Sequence, residues 1–398
     1  MTGSGTSDID IAEVDALRDW MIDGAPPSAR AGEIVTAICE RLTAANVPVD
    51  RFGLFIFTLH PNIKGRRFKW TKEDGLTVQQ ADIAIARSTG FRASIAVHVM
   101  ETGNAYRCRF AQDDELPPFP DVIEIRDEGM SDYVIEPLVY TTGETHAVSW
   151  ATSAPGGFTD AQIAALERIR APLARLTEIY MLRLNAANLL SAYVGRDGGR
   201  RVLEGNVNRG DTEQISAAIL FVDIKGFTSY SDTTPAPQVV TTLNDFFEVF
   251  VTAVEAEGGE VLKFIGDALL AIFPVAPDGG GEAAAIAAAA ASLARAEALF
   301  AESPGTRIGY RAAIHFGEVS YGNIGGGDRL DFTAIGPAVN LAARLLGVAT
   351  DTGRDLVCSS EVAGYLRGCE TLGEFTLKGI ATAQPVFAVT APQRIPTA

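Results

Sequence analysis

The sequence predicts an α+β chain built as two domains joined by a long helix, and three observations carry that prediction. At 398 residues the chain exceeds what one compact core organises. Its first half orders as helix, hairpin, helix and strands. From Ser216 onward strands alternate with helices, the mark of a layered α/β or α+β domain. The expected limits are a flexible or helical lead over 1–27, a first domain over 28–158, a connecting helix and linker over 159–214, a second domain over 215–390 and a tail over 391–398.

In the first domain, Ile34, Ala37, Ile38 and Leu42 have amphipathic spacing within a helix from Ala29 to Asn46. Phe52–Leu59 and Arg66–Trp70 read as two antiparallel strands, with Pro61, Asn62 and Gly65 between them. A helix over Arg92–Glu101 ends before Gly103, placed as a C-cap. Ala105–Phe110, Tyr133–Tyr140 and Thr145–Thr152 are strand-like, and the acidic, proline-rich Gln112–Pro120 is a loop. From Thr159 to Leu190, Leu166, Ile169, Leu173, Leu176 and Tyr180 step by threes and fours, a coiled-coil seam. Pro172 leaves packing against the helix's own domain as the alternative. The Gly-rich, basic Tyr193–Gly210 ends that helix as a joint.

In the second domain the strand Ala217–Asp223 precedes a helix over Ala236–Ala256, with Val240, Leu243, Phe247, Phe250 and Val254 on one face. A hairpin follows over Glu260–Phe273, turning at Gly266-Asp267. An alanine-rich helix spans Glu282–Phe300. Ile308–His315 and Val319–Ile324 are strands, Pro337–Leu346 a helix, and the remainder from Leu356 short strands with one helix.

Composition restricts the partners. The formal charge of −17, with no Lys/Arg-rich stripe, argues against nucleic acid. No apolar run approaches the roughly 20 residues of a bilayer span. Met1–Asp10 lacks the basic start and apolar centre of a secretion signal, so a cytoplasmic protein is expected. Cys39, Cys108, Cys358 and Cys369 have no metal-ligand spacing and read as buried or partly buried thiols.

The order of elements in the first half resembles a GAF-type sensor domain. Glu136-Pro137-Leu138-Val139 before a Gly-containing turn and Pro155-Gly156-Gly157-Phe158-Thr159 before the long helix support it. Such a domain would receive a small-molecule or protein signal. Phe55, Phe57, Trp70, His98 and Tyr106 are expected in its core, with a ligand pocket as the alternative.

The chemistry lies in the second half, where Asp223 and Asp267 each follow a β-forming run. If the two strands are neighbours the carboxylates meet, and hard cations take such oxygen ligands; otherwise these are two turn aspartates. Their surroundings read Phe-Val-Asp-Ile-x-Gly-Phe-Thr, then Lys-Phe-Ile-Gly-Asp-x-x-x-Ala-x-Phe, then Phe-Thr-Ala-Ile-Gly-x-x-Val-Asn-x-Ala-x-Arg. Three motifs in this order, over Ile215–Val389, resemble the class III nucleotidyl cyclases.

The resemblance implies a ferredoxin-like βαββαβ catalytic domain that acts as a homodimer, with two Mg2+ or Mn2+ ions per site. Asp223, Asp267 and the backbone of Ile224 match its metal ligands. The loop through Phe227 and Thr228 matches its phosphate-holding turn. Asn340 and Arg344 match the residues that orient the ribose and meet charge on the α-phosphate, and their i, i+4 spacing puts both on one helix face. Lys378 matches a triphosphate contact. Lys263 and Thr333 match the base-reading pair. Adenine presents an acceptor at N1 and a donor at N6, which suits a Lys donor beside a hydroxyl acceptor. Guanine reverses both requirements, at roughly 1–3 kcal/mol for each unpaired group. The implied reaction is ATP to 3′,5′-cyclic AMP and pyrophosphate, with guanylate cyclase or a non-catalytic nucleotide-binding regulator as alternatives. Glu318 stands where some relatives have a phosphate-contacting Arg. His315 is expected to be a packed residue.

Overall fold

The computed structural model describes residues 8–27, 30–112, 115–276, 280–302, 308–327 and 329–390. The tail over 391–398 and parts of the predicted loop Gln112–Pro120 lie outside them. The chain forms two compact units, Met1–Leu189 and Leu190–Ala398.

The first unit begins with α1 (Ile11–Ile22) and α2 (Ala31–Ala44). Asp10 caps α1 by accepting the Glu13 N–H at 3.0 Å, and Val14, Leu17 and Met21 are buried. Over its described residues, 8–27, the lead segment therefore holds an anchored core helix. Then come β1 (Arg51–Phe57), β2 (Ile63–Thr71), β3 (Gly75–Asp82), α3 (Ile83–Arg87), α4 (Thr89–Arg92), α5 (Ile95–Thr102), β4 (Tyr106–Arg109), α6 (Pro120–Asp127), β5 (Asp132–Val139), β6 (Thr145–Thr152) and α7 (Asp160–Val194). Gly103 ends α5 in the left-handed region at φ 71°, as placed. The six strands form one antiparallel sheet, ordered β3-β2-β1-β6-β5-β4. One face packs on α1, α2 and α7, the other on α5 and α6. Pro120 opens a helix at its first position, where its missing N–H costs nothing, rather than closing a loop.

The predicted coiled-coil seam is corrected. Leu166, Ile169, Leu173 and Leu176 are buried in the first unit's own core, with Tyr180 at its margin. A three-four apolar stripe packs equally well on a sheet. The solvent-facing apolar residues of α7 are instead Ile179, Leu182, Leu189 and Tyr193.

The second unit holds α8 (Arg196–Leu203), β7 (Thr212–Ile224), α9 (Phe227–Thr233), α10 (Ala236–Ala256), β8 (Glu260–Ile265), β9 (Ala268–Pro274), α11 (Gly281–Glu302), β10 (Tyr310–Gly326), β11 (Arg329–Ile335), α12 (Pro337–Thr352), β12 (Leu356–Ser359), α13 (Ser360–Ala363), β13 (Cys369–Phe375) and β14 (Gln384–Val389). The succession β7-α10-β8-β9-α11-β10 has the expected βαββαβ order, and its strands lie side by side as β10-β7-β9-β8, all antiparallel. β12, β14 and β13 extend the β10 edge, and β11 pairs with the far end of β10. α10 and α11 cover one face through Phe246, Phe250, Ile286 and Leu293, and α12 covers part of the other.

Three differences have local causes. The joint Tyr193–Gly210 contains α8, tied down by Asp197 N–H to Glu260 (2.9 Å) and Arg201 to Glu213 (2.6 Å). The strands around Gly317 are one continuous β10, because this glycine makes room for α12: a Cβ there would sit 2.8 Å from Ala338 Cβ. On α10 the buried stripe is Phe246, Phe250, Ala253 and Val254, whereas Val240 is exposed. Among described helices, α11 has the length and apolarity to cross a bilayer. Its buried face lies within the second unit's core.

Candidate active site

β7 runs through the middle of its sheet, with Ala217–Val222 buried between β9 and β10. That apolar run carries Asp223, half-buried, to the strand's end, opposite Ala268 of β9 and Arg311 of β10 in register. Asp267 stands in the two-residue turn between β8 and β9, made possible by Gly266 at φ +67°. The hairpin thus brings the two carboxylates into hydrogen-bond contact. Burial, and after it the hydrogen bond and charge of Asp267, push the Asp223 pKa up to about 7, against the opposing pull of the Ile224 backbone N–H and Arg311.

Two abutting carboxylates need a shared proton or a cation between them. No cluster of three or more His, Cys, Asp or Glu ligands exists among the described residues. An oxygen-only pair with open positions fits a hard divalent cation that completes its shell with backbone carbonyl, water or phosphate oxygens. Gly226 at φ +69° turns the chain from β7 into α9, so Phe227 and Thr228 occupy its first turn, where N–H groups lack intrahelical partners.

Arg311 is a site residue that the sequence reading missed. Its Nε is buried without a hydrogen-bond partner, and its charge bears on Asp223. The available signal was a lone cation within the apolar strand Ile308–His315.

Lys263 on β8 and Thr333 on β11 line one open depression of about 410 Å3, together with Leu330 and Asp331. Thr333 is buried and pairs in register with Gly322 of β10. Lys263 Nζ is ion-paired with Asp331 Oδ2, a second residue that motif reading passed over. Asn340 and Arg344 are both exposed on α12, opposite the face buried through Ala338, Leu341, Ala342 and Leu345. Lys378 and Glu318 are exposed. His315 is buried, with Nδ1 2.8 Å from Ser359 Oγ, and burial lowers its pKa, as suits a packed residue. Within one chain no hydrogen bond or ion pair among the described residues joins the acidic pair, the Lys263–Thr333 depression and the Asn340–Arg344 face.

Residues 210–389 match the family described as the adenylate and guanylate cyclase catalytic domain. The chain is 37% identical over 204 residues to an uncharacterized protein of Mycobacterium tuberculosis, covering 50% of this chain and 37% of that one. It is 32% identical over 181 residues to adenylate cyclase 1 of Rhizobium meliloti, covering 43% of this chain and 27% of that one. Among solved structures, the adenylyl cyclase CyaB from P. aeruginosa is 25% identical with a TM-score of 0.40, covering 46% of this chain and 98% of that one. The guanylate cyclase domain of RhGC from Catenaria anguillulae in complex with GTP is 22% identical with a TM-score of 0.39, covering 45% and 98%.

Proposed function

With residues 210–389 forming a class III nucleotidyl cyclase catalytic domain, we propose that this protein is a cytoplasmic adenylate cyclase. It converts ATP to 3′,5′-cyclic AMP and pyrophosphate as a homodimer, under control of a GAF-like first unit. The observation that carries the reading is the contact between Asp223 and Asp267, two carboxylates held together beside Arg311. The naming of a Rhizobium meliloti relative as an adenylate cyclase supports the choice of product.

Two Mg2+ or Mn2+ ions, held by Asp223, Asp267 and the Ile224 carbonyl, would activate the ribose 3′-hydroxyl and neutralise the phosphates. Phe227 and Thr228 present first-turn N–H groups to the β- and γ-phosphates, and Arg311 faces the same anions from β10. Lys263 donates to adenine N1 and the Thr333 hydroxyl accepts from N6, while Asp331 holds the Lys263 ammonium across the depression. Asn340 positions the ribose. Arg344 forks onto the α-phosphate oxygens as charge builds there, which a Lys would do less well, and Lys378 contacts the triphosphate. As the resemblance to the class III cyclases implies, the complete site takes Asp223 and Asp267 from one protomer and Lys263, Thr333, Asn340 and Arg344 from its partner. A two-fold dimer builds two such sites.

Purified full-length chain supplied with Mg2+ or Mn2+ should form cyclic AMP from ATP, at a kcat/KM at least about tenfold above that for GTP, the ratio one unmatched buried group produces. Absence of any cyclic product from either nucleotide with either metal, in a preparation shown to be dimeric, overturns the enzyme reading. A preference for GTP overturns the adenine assignment alone.

A further inference from the structure

The first unit contains a cavity of about 590 Å3 on the sheet face opposite the α1, α2 and α7 core. Phe55 and Phe57 of β1 and Arg67 of β2 line its floor, with Phe91 of α4 among the residues of its wall. Arg67 lies opposite Phe55 in register, its guanidinium carbon 5.4 Å from the centroid of that ring. The cavity falls within the usual range for small-molecule sites, roughly 300–1,000 Å3.

Arg66 and Arg67 line it together with Asp121 and Glu124, but no ion pair joins these four among the described residues. Arg67 Nε is buried with no hydrogen-bond partner, and Arg67 has no salt bridge among the described residues. Nearby anions are spent elsewhere. Glu128 pairs with Arg51 at 3.0 Å and Lys69 at 2.9 Å. Asp121 turns both oxygens to the Ile95 N–H at the start of α5, at 3.1 and 3.2 Å. Burial, and after it the Arg51 charge, push the Arg67 pKa down, and the attraction of Tyr133, Asp121 and Glu128 offsets only part of this. A partly buried cation with an unbonded N–H and no ion-pair partner is a candidate site for an anion. Asp121 and Glu124 on the wall oppose a second negative charge on the ligand.

We propose that this cavity binds a small aromatic monocarboxylate, its carboxylate forked onto Arg67 and its ring lying among Phe55, Phe57 and Phe91. The inference stands apart from the cyclase reading, because it concerns the first unit and is tested by binding alone.

Calorimetric titration of the full chain, without nucleotide, should compare 2-naphthoate with the uncharged 2-naphthylmethanol and with 2-naphthyl phosphate. The carboxylate should bind saturably and at least about tenfold more tightly than the alcohol, the preference a charge-assisted pair supplies. Arg67→Gln should abolish that preference and Arg67→Lys should keep part of it, with far-UV circular dichroism confirming both folds. The proposal is overturned if naphthoate does not bind, if the alcohol binds as well, or if a folded Arg67→Gln variant keeps the preference. Tighter binding of the phosphate overturns the carboxylate assignment. Should Arg67→Gln not fold, the wild-type ratio of acid to alcohol and the Arg67→Lys variant still decide it.

Discussion

Arg67 in the first unit and the Asp223–Asp267 pair in the second are opposite in sign and in construction. The guanidinium sits on the floor of a cavity whose walls all come from one unit. The carboxylates stand at a strand end and a hairpin tip, and no hydrogen bond or ion pair among the described residues joins them to Lys263, Thr333, Asn340 or Arg344. Both places hold ionisable groups that the surrounding protein leaves uncompensated, which binding sites require and stable cores avoid. The difference in placement sets what each test must include: the cavity is lined within one unit, whereas the proposed nucleotide site draws on a second copy.

Removing one carboxylate gives the largest expected effect. Asp267→Ala should lower cyclic nucleotide formation by on the order of a thousandfold, about 4 kcal/mol of transition-state stabilisation, while the metal-free chain unfolds no earlier than wild type. Turnover within tenfold of wild type would refute a metal-binding role for this residue. Naphthoate binding should be untouched, which separates the two sites.

Next comes the split itself. Asp223→Ala and Arg344→Ala chains, each inactive alone, should recover activity on mixing. Random pairing makes about half of the dimers heterodimers, each with one intact site, so roughly a quarter of wild-type activity is expected. No recovery after subunit exchange would count against a site shared between protomers.

The smallest effect is on stability. The Asp223 pKa is raised in the folded chain to about 7 from 3.8, so the folded state holds this proton more tightly than the unfolded one. The stability it contributes is complete below the unfolded value and is lost as pH rises to about 7. With a chelator present, the wild-type Tm should therefore fall relative to that of Asp267→Ala between pH 5 and pH 8, by on the order of 2–4 °C. Saturating Mn2+ should reverse the loss in wild type alone. A difference in Tm that does not change with pH would mean that the pair is already neutralised within the chain.

Where apolar periodicity and turn chemistry agree, the sequence was readable to the residue. α10 runs over the predicted Ala236–Ala256, β6 over Thr145–Thr152, and the hairpin turns at Gly266-Asp267 as expected. β3 was not readable, because Gly75–Asp82 is a largely exposed edge strand whose order comes from backbone pairing with β2 rather than from an apolar pattern. The three-four stripe on α7 fits a partner helix or a sheet equally, and the stripe alone could not distinguish them. Arg311 and Asp331 escaped because each matters through a neighbour distant in sequence: Asp223, across β10 and β7, and Lys263, across the depression beside β11.

By itself the sequence determined the local pieces: which runs are strands, where the glycine turns fall, and which carboxylates end those strands. Local sterics and side-chain periodicity act over a few residues and leave their mark on the chain directly. The tertiary structure alone decided which charges remain without partners. Compensation depends on what lies within a few ångströms across the sheet, and a cation such as Arg67 reads identically in the chain whether or not an anion stands beside it.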